Sequence, residues 1–564
     1  MARGSGETFS RTRRSHWPLW SVHPQPASNS VGAAIPYNDT FSMRFLKLLD
    51  IFSTRDLLGQ NIRLSELPAF LRDTIKKLGA FRDPENESLC MPGFPARHAI
   101  IIGGGASGVL LTYQLLQHPE SDFRVTLIEK RSEVGRGLAY HTGNAEHLLN
   151  VRAANMSALP DDPDHFWRWL STRADGQPLC PDPYCIVPRR VYGDYIASLI
   201  EPFLSPGIVP SRLQIIRGEC VAVSEGSGDA TVSLADGSRL VGDAVILATG
   251  HDAATARSAW HTDPWISPSI PGFSRDAAVL ILGTGLTMAD YVLTLLREGH
   301  RGPIIAMSRR GLMAKAHRRT APMPLSEAEV PFGARASVVL RWVRRHIDDH
   351  VAVGGDWRGV IDAIRPFSQR LWRELPLASK RSFLEHARAW WDVHRHRMAP
   401  EVEARITQAI LDGQLTLKAA KMVGIEGGAN GARVRYRRRG QQESESLDVG
   451  AIVDCTGIVR DPRAITNLAV RSLFDQDLAR PDPLRIGVEV AADCAIVRGD
   501  GCASQRLFAI GPLTRAAFWE IVAIPDIRHQ CADLARQLVR CRPDALSEHP
   551  TDLQRGQSDY QVAM

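Results

Sequence analysis

The stretch from His98 to Glu129 constrains this chain more than any other. His98-Ala99-Ile100-Ile101-Ile102 is a short apolar run that breaks at once into Gly103-Gly104-Gly105-Ala106-Ser107-Gly108. Val109, Leu110, Leu111, Leu115 and Leu116 then recur at helical spacing, and a second run, Arg124-Val125-Thr126-Leu127-Ile128, ends at Glu129. Strand, G-x-G-x-x-G, helix, strand and acid follow in the order of a dinucleotide-binding βαβ unit. Gly103 allows the tight turn, Gly105 lets the backbone approach a pyrophosphate, and Gly108 lets helix and strand pack closely. The helix N-terminus at Ala106 and Ser107 stabilises phosphate charge. Glu129 lies 21 residues past Gly108, where an acid accepts hydrogen bonds from an adenosine ribose. The bland alternative is a Gly-rich turn in an ordinary βαβ unit.

A second Gly-rich turn follows, Val134-Gly135-Arg136-Gly137-Leu138-Ala139-Tyr140. A site for NAD alone needs no such loop, whereas flavoproteins commonly run one beneath the FAD pyrophosphate and ribityl chain. Gly135 and Gly137 therefore point to FAD, with an ordinary surface turn as the alternative.

Two distant segments read alike. Residues 213–250 contain a strand, a hairpin turning at Asp236-Gly237, and a return strand ending Ala248-Thr249-Gly250. Residues 415–457 contain a strand, a hairpin turning at Asn430-Gly431, and a return strand ending Cys455-Thr456-Gly457. Each copy follows a glycine turn, the second being Gly283-Thr284-Gly285-Leu286-Thr287-Met288. Met288 replaces the third glycine there, but Gly283 and Gly285 still permit phosphate approach. Two copies of one plan imply two dinucleotide sites, one for FAD and one for a nicotinamide nucleotide. Thr249 and Gly250 mark where the chain leaves the first domain for the second.

The strand after the second turn, Ile304-Ile305-Ala306-Met307, ends in Ser308-Arg309-Arg310, where NAD sites place an acid. Arginine there would meet a 2′-phosphate bidentately. NADPH is expected, with NADH as the alternative; the bland reading is two solvated arginines.

Leu507-Phe508-Ala509-Ile510-Gly511-Pro512 reads as a strand entering a turn, and Ile524-Pro525-Asp526-Ile527 as the start of a helix. Such a strand and helix close the FAD site, with Gly511 at the turn and the helix N-terminus facing the flavin pyrimidine. Between Ser326 and Leu411 the sequence is helical and rich in Trp and Arg. It is expected to be a lid over the substrate pocket, a structural insert or a homodimer face. His394 and His396 are two apart and point in different directions on a helix, so no metal site is expected.

The expected fold class is α/β, with two Rossmann-like dinucleotide-binding domains carrying inserted hairpins, plus an α-helical insert. The expected divisions are a disordered tail at 1–40 and a helical extension at 41–97. An FAD-binding domain comprises 98–250 and 450–545, and an NAD(P)-binding domain 251–325 and 412–449. The insert is 326–411 and a flexible tail 546–564.

Composition narrows the function classes. The net charge is +6 and 60 of the 68 basic residues are arginine, in short clusters such as Arg437-Arg438-Arg439 that lie far apart. Nucleic-acid binding requires a contiguous basic face, so no nucleic-acid partner is expected. Apolar runs such as Val279-Leu280-Ile281-Leu282 are far shorter than the ~18 residues of a membrane span, and no membrane association is expected. Nine cysteines do not form a disulfide framework, and Cys180 and Cys185 read as isolated, which suits a cytoplasmic setting.

The chain resembles the bacterial FAD–NAD(P)-binding protein family over about residues 98–540. The resemblance is carried by the glycine turn at Gly103–Gly108, by Gly137-Leu138-Ala139-Tyr140, and by His147-Leu148-Leu149-Asn150-Val151. Val187-Pro188-Arg189-Arg190-Val191-Tyr192-Gly193, Gly283-Thr284-Gly285-Leu286-Thr287-Met288, Trp391-Asp392-Val393-His394-Arg395-His396-Arg397 and Ala517-Phe518-Trp519-Glu520 carry the rest. It implies FAD and a nicotinamide nucleotide as cofactors and adds Asn150 to the cofactor-binding candidates. The few assigned relatives, a flavin-dependent urate hydroxylase among them, imply an NADPH-driven flavin monooxygenase using O2 to hydroxylate a small polar substrate, such as a urate-like heterocycle. The alternatives are an NAD(P)H:acceptor flavin reductase and a flavin-binding sensor or scaffold without turnover. A disulfide reductase is disfavoured, because Cys180 and Cys185 are far from the first nucleotide turn and separated by two prolines. No catalytic residue stands out beyond a weak candidate, His251.

Overall fold

The structure, a computed structural model, describes residues 97–204, 211–251, 261–262, 264, 274–428, 431–457 and 461–540. The expected N-terminal tail and helical extension, Asn430 of the second hairpin turn and the C-terminal tail lie outside the described residues.

The first stretch supplies β1 (His98–Ile102), β2 (Arg124–Glu129), β3 (Leu213–Arg217), β4 (Cys220–Glu225), β5 (Ala230–Leu234), β6 (Arg239–Gly242) and β7 (Ala244–Leu247). The second supplies β8 (His261–Thr262), β9 (Val279–Leu282), β10 (Ile304–Ser308), β11 (Leu415–Gly428), β12 (Gly431–Arg438), β13 (Ser444–Val449) and β14 (Ala451–Asp454). β15 (Ala495–Val497) and β16 (Ala503–Ala509) follow.

β1 lies inside a six-stranded sheet ordered β15-β16-β7-β1-β2-β3, parallel to both of its neighbours. A parallel strand covered on both faces has to be apolar throughout, and Ala99 to Ile102 are all buried. Successive side chains enter opposite cores. Ala99 and Ile101 meet the helices Ala106–Gln117 and Ile524–Arg540, while Ile100 and Ile102 meet the β4-β5-β6 meander and the helix Leu468–Asp475. β9 holds the same position in a seven-stranded sheet, β13-β12-β11-β10-β9-β14-β8, between parallel β10 and β14. Helices Leu286–Arg297 and Pro400–Leu411 cover one of its faces, and β11 to β13 pack on the other.

The repeat is therefore structural, with one difference in execution. In the first copy β3 ends and the meander forms a separate three-stranded sheet. In the second copy β11 is continuous, pairing with β10 over Leu415–Ala419 and with β12 from Ala420 onward. Each copy has a register irregularity near the start of its hairpin, at Cys220/Ala222 and at Met422/Gly424.

Three expectations need correction. β14 pairs with β9 and β8, so the second unit extends past residue 450 to the Thr456-Gly457 turn. The helix Pro400–Leu411 is the crossover between parallel β10 and β11, because Val402, Ile406 and Ala409 pack in the core beneath that sheet. The insert therefore ends near Arg395. Cys180 and Cys185 are joined in a disulfide, with Cα atoms 5.4 Å apart. The loop brings them together because the Cys185 amide donates to the Asp182 carbonyl (3.1 Å) and the Tyr184 amide to the Asp182 side chain (2.7 Å). No helix among the described residues is long and apolar enough to cross a membrane.

Candidate functional site

A cavity of about 580 Å³ opens where β1, β2 and β7 end, within the range of cofactor sites. Gly103 turns there with φ +109°, and its amide donates to the Ile128 carbonyl at 2.9 Å. A side chain at Gly103 would overlap the Ala248 carbonyl, and one at Gly108 would overlap the Gly103 carbonyl. Gly105 caps the helix Ala106–Gln117 with no side-chain cap and no acid in the first turn. Its first amides are thus left to an outside anion, and Ala106 and Ser107 line the cavity.

The second glycine turn sits directly against the first. The Gly135 amide donates to the Gly104 carbonyl at 2.7 Å, and a Cβ on Gly105 would lie 3.4 Å from the Gly137 Cα. Gly137 lines the cavity, whereas Gly135 (φ +90°) backs onto Ala197 and serves the turn. This second wall suits FAD.

Glu129 lines the cavity and is buried, but its carboxylate already has work in the protein. One oxygen accepts the Gly104 amide and the other the Arg131 amide, both at 2.8 Å. A carboxylate retains further lone pairs for a ribose hydroxyl, so Glu129 both braces the glycine loop and faces the ligand space.

Thr249, Gly250 (φ +70°) and His251 line the cavity away from Glu129. His251 Nδ1 has no hydrogen-bond partner among the described residues, leaving an orphaned polar atom for a ligand to satisfy. Burial, and then the charge of Arg515, push the His251 imidazole down to about 4, so it is neutral near pH 7. Gly511 (φ +68°) does not reach the cavity: its amide donates to Gln530 Oε1 at 2.8 Å, and a side chain there would press on Ser107. Its neighbours Pro512 and Leu513 line the wall instead. Asn150 also lies outside the lining, with its carbonyl accepting from His317 Nε2 at 2.9 Å.

Other motif residues tie the two dinucleotide units together. Arg189 donates to the Leu148 carbonyl (3.0 Å) and pairs with buried Asp290 on the helix Leu286–Arg297 (2.8 Å). His147 Nε2 bonds the Asp290 carbonyl and Thr294 Oγ1.

At the second turn Gly283 repeats the first corner. It has φ +105°, its amide donates to the Met307 carbonyl at 2.7 Å, and a side chain would overlap the Cys455 carbonyl. Gly285 caps its helix with no side-chain cap and no first-turn acid, and a Cβ there would meet nothing within 4 Å. The cradle is open. Met288 fills the core below it. Ser308 bonds Thr284 Oγ1 (2.9 Å) and accepts the Gly311 amide (3.0 Å). Arg309 is exposed, while Arg310 donates to the His386 carbonyl of the insert at 2.8 Å. Of the two, Arg309 is thus the more accessible at this strand end.

Several lining residues carried no sequence signal: Lys130, Glu219 and Cys220 near Glu129, and Ile486, Gly487, Arg515 and Val522 at the other end. None belongs to a recurring motif, and only the fold assembles them. Neither Cys180 nor Cys185 reaches the cavity lining, which leaves the disulfide-reductase reading without support.

Two Rossmann-like units with inserted hairpins define the chain as a two-dinucleotide-binding flavoprotein fold. Residues 100–252 match the family model described as FAD-NAD(P)-binding, so this stretch carries an FAD-NAD(P)-binding domain. No protein of curated function matches the chain. Among solved structures, the chain is similar to the ornithine N-hydroxylase of Kutzneria sp. 744, described with reduced FAD, NADP+ and L-ornithine. That match has 14% identity and TM-score 0.55 over 79% of this chain and 99% of that one. The L-lysine 6-monooxygenase of Pseudomonas syringae matches with 15% identity and TM-score 0.53, over 79% and 99%. The FAD-bound cadaverine monooxygenase DfoA of Erwinia amylovora matches with 14% identity and TM-score 0.54, over 83% and 99%. At these identities the likeness establishes the fold.

Proposed function

We propose that this chain is an FAD- and NAD(P)H-dependent oxidoreductase of the flavin monooxygenase kind, acting on a small polar substrate with O2. The observation that carries the reading is the pair of glycine corners, at Gly103–Gly105 and Gly283–Gly285, each with an uncapped helix N-terminus. The activities by which the three structural neighbours are described support the monooxygenase class. FAD bound in the cavity supplies hydride acceptance and oxygen activation. The protein's share is placement: Gly103 to Ser107 and Gly137 seat the diphosphate, Glu129 seats the ribose, and His251 offers a neutral ring nitrogen. Arg309 favours NADPH over NADH. No observation favours urate, and the three neighbours named above are described with amine substrates. Cys220, Cys494, Cys502 and Cys531 remain thiols, which suits a reducing compartment, with the Cys180–Cys185 bond as the exception.

The test is a purified sample assayed for bound FAD, for NADPH against NADH oxidation, and for O2 uptake with a panel of amines and purines. Stoichiometric FAD, faster oxidation of NADPH and substrate-stimulated O2 uptake are expected. A colourless protein that takes up no FAD would overturn the reading. One that bleaches once with NADPH and never turns over would favour the sensor or scaffold.

A further inference from the structure

Two ion pairs join the helical insert to the segment that walls the cofactor cavity, and they differ in how well they close. In the first, Arg395, the last residue of the helix Arg388–Arg395, donates through Nε to Glu520 Oε2 at 2.8 Å, and Trp391 Nε1 donates to Glu520 Oε1 at 2.5 Å. Both charged side chains are almost wholly buried, with 8% and 3% exposed. Burial raises the Glu520 carboxyl, but Arg395, His396 and the Trp391 donor outweigh it and hold the group below its usual range. Glu520 takes φ +65°, costly backbone for a non-glycine residue that persists where the surroundings impose it. Those surroundings include Trp372, which stacks on Trp519 at 4.2 Å and donates from Nε1 to the Ala516 carbonyl at 2.8 Å.

The second pair is loose. Arg365, in the turn Arg365–Phe367 of the insert, meets Asp526, in the first turn of the helix Ile524–Arg540, at 3.5 Å. The two side chains keep 21% and 19% of their surface exposed. Each is short of partners. Burial, and then the charge of Arg395, push the Arg365 guanidinium down in spite of Asp526, and burial pushes the Asp526 carboxyl up in spite of Arg365. Arg395 Nη2 is also buried with no acceptor among the described residues. Ile524 and Ile527, which share the first turn of the helix with Asp526, line the cofactor cavity.

We propose that Arg365 and Asp526 form a substrate subsite for a zwitterion, the ammonium and carboxylate of an α-amino acid, with Arg365 taking the carboxylate and Asp526 the ammonium. The inference rests on the monooxygenase reading above and names the class of its small polar substrate. A guanidinium has five N–H donors, and the contact with Asp526 is the one side-chain hydrogen bond Arg365 makes among the described residues. An incoming carboxylate gains a bidentate, charge-assisted partner there, and an ammonium gives Asp526 the donors it lacks. The two charges arrive together, so the ligand adds no net charge where an unpaired one would be costly. A carboxylate alone would also meet Asp526 and Glu520, and an amine alone would meet Arg365 and Arg395. Each is discouraged by like charge. The substrate is thereby anchored within one helical turn of the cavity wall.

The test uses the FAD-bound protein and its Arg365→Lys, Arg365→Gln and Asp526→Asn variants, after FAD content, circular dichroism and NADPH oxidation have been measured for each. Three probes of one carbon skeleton are titrated by calorimetry at neutral pH and millimolar concentration. They are L-norvaline, pentanoate, which lacks its amine, and butylamine, which lacks its carboxylate. Wild-type protein is expected to bind L-norvaline at least about tenfold more tightly than either single-charge probe, the worth of one further charge-assisted hydrogen bond. Arg365→Gln should bring L-norvaline down to the level of butylamine, and Asp526→Asn down to that of pentanoate, while Arg365→Lys keeps part of the preference. A merely structural pair would not move the two variants toward different probes. Equal binding of the three probes by wild-type protein, no binding of any, or variants that bind L-norvaline as wild type does would overturn the subsite. If a variant misfolds, the wild-type comparison still decides. A protein that holds no FAD or oxidises no NADPH would strike the functional reading instead.

Discussion

Gly108 shows how much a single hydrogen atom decides here. A methyl group at that position would overlap the Gly103 carbonyl, so Gly108→Ala must push the helix Ala106–Gln117 away from β1. The expected cost is about 2 kcal/mol or more, typical of overpacking a close contact. Gly143→Ala is the control: a Cβ there meets nothing within 4 Å, so the change should stay within about 0.5 kcal/mol. Urea unfolding of the two variants checks both numbers. Glu129→Gln preserves the shape but replaces an acceptor of two amides with a side chain that has only one carbonyl oxygen. The predicted loss is about 1–3 kcal/mol for the unsatisfied buried amide, with weaker FAD binding measured by flavin fluorescence. Gly103, Gly105 and Glu129 were legible in the sequence because their task is set by local spacing. Arg515 was not, since only the fold brings it to the cavity wall beside His251.

The strands and helices were legible where the hydrophobic period was strong, as in β1 with Ala106–Gln117 and β9 with Leu286–Arg297. Their ownership was harder to read. The spacing of Val402, Ile406 and Ala409 establishes an apolar helix face but does not say which sheet it covers, and the insert was drawn too long for that reason. The contact between His147–Arg189 and the helix Leu286–Arg297 was likewise invisible, because its partners come from separate dinucleotide units. Asp290 is deeply buried, and its carboxyl is pushed upward by burial and drawn down again by Arg189. Arg189→Ala strands that carboxylate, and the expected loss is about 3–5 kcal/mol. Adding Asp290→Asn should recover part of it. Equal stability of the single and double variants in urea would show that the pair does not bind these units together. The Cys180–Cys185 loop makes a smaller junction of the same sort. Asp182 pairs with Arg319 at 2.6 Å, and Tyr184 lies under the guanidinium groups of Arg152 (5.0 Å) and Arg319 (4.6 Å). Protein purified without reductant should yield the linked 180–185 peptide by mass spectrometry, and recovery of both thiols as alkylated forms would refute the bond.

For the molecule as a whole, imidazoles withdrawn from water shape the acid side of its stability, His147, His300 and His396 as well as His251 and His317. His251 and His317 are both pushed down to about 4, chiefly by burial. Below pH ~6.5 the unfolded chain takes up protons that the folded chain refuses. Their contribution is therefore complete above pH ~6.5, declines as the pH falls, and levels off near pH 4, with a loss of at most about 3 kcal/mol per ring and less where water reaches it. Urea midpoints measured from pH 7.5 to 4.5 should fall, and His317→Gln should flatten that slope; an unaltered slope would refute the assignment. The repeated architecture leads to a sharper expectation, because two cradles built alike should be separable by substitution. Gly285 has an ordinary negative φ of −88° and open space around its absent side chain. Gly285→Val therefore leaves the packing of the second unit intact while filling the place where a diphosphate would approach the Leu286–Arg297 helix N-terminus. Circular dichroism and FAD content should match wild type, whereas the rate of flavin reduction by NADPH should fall more than about a hundredfold at a fixed concentration, the loss of roughly 3 kcal/mol of nucleotide binding. Dithionite, which needs no cradle, should still reduce the flavin of the variant. If NADPH reduces Gly285→Val as fast as wild type, the Gly283–Gly285 corner does not hold the nicotinamide nucleotide, and the second copy of the fold serves another purpose.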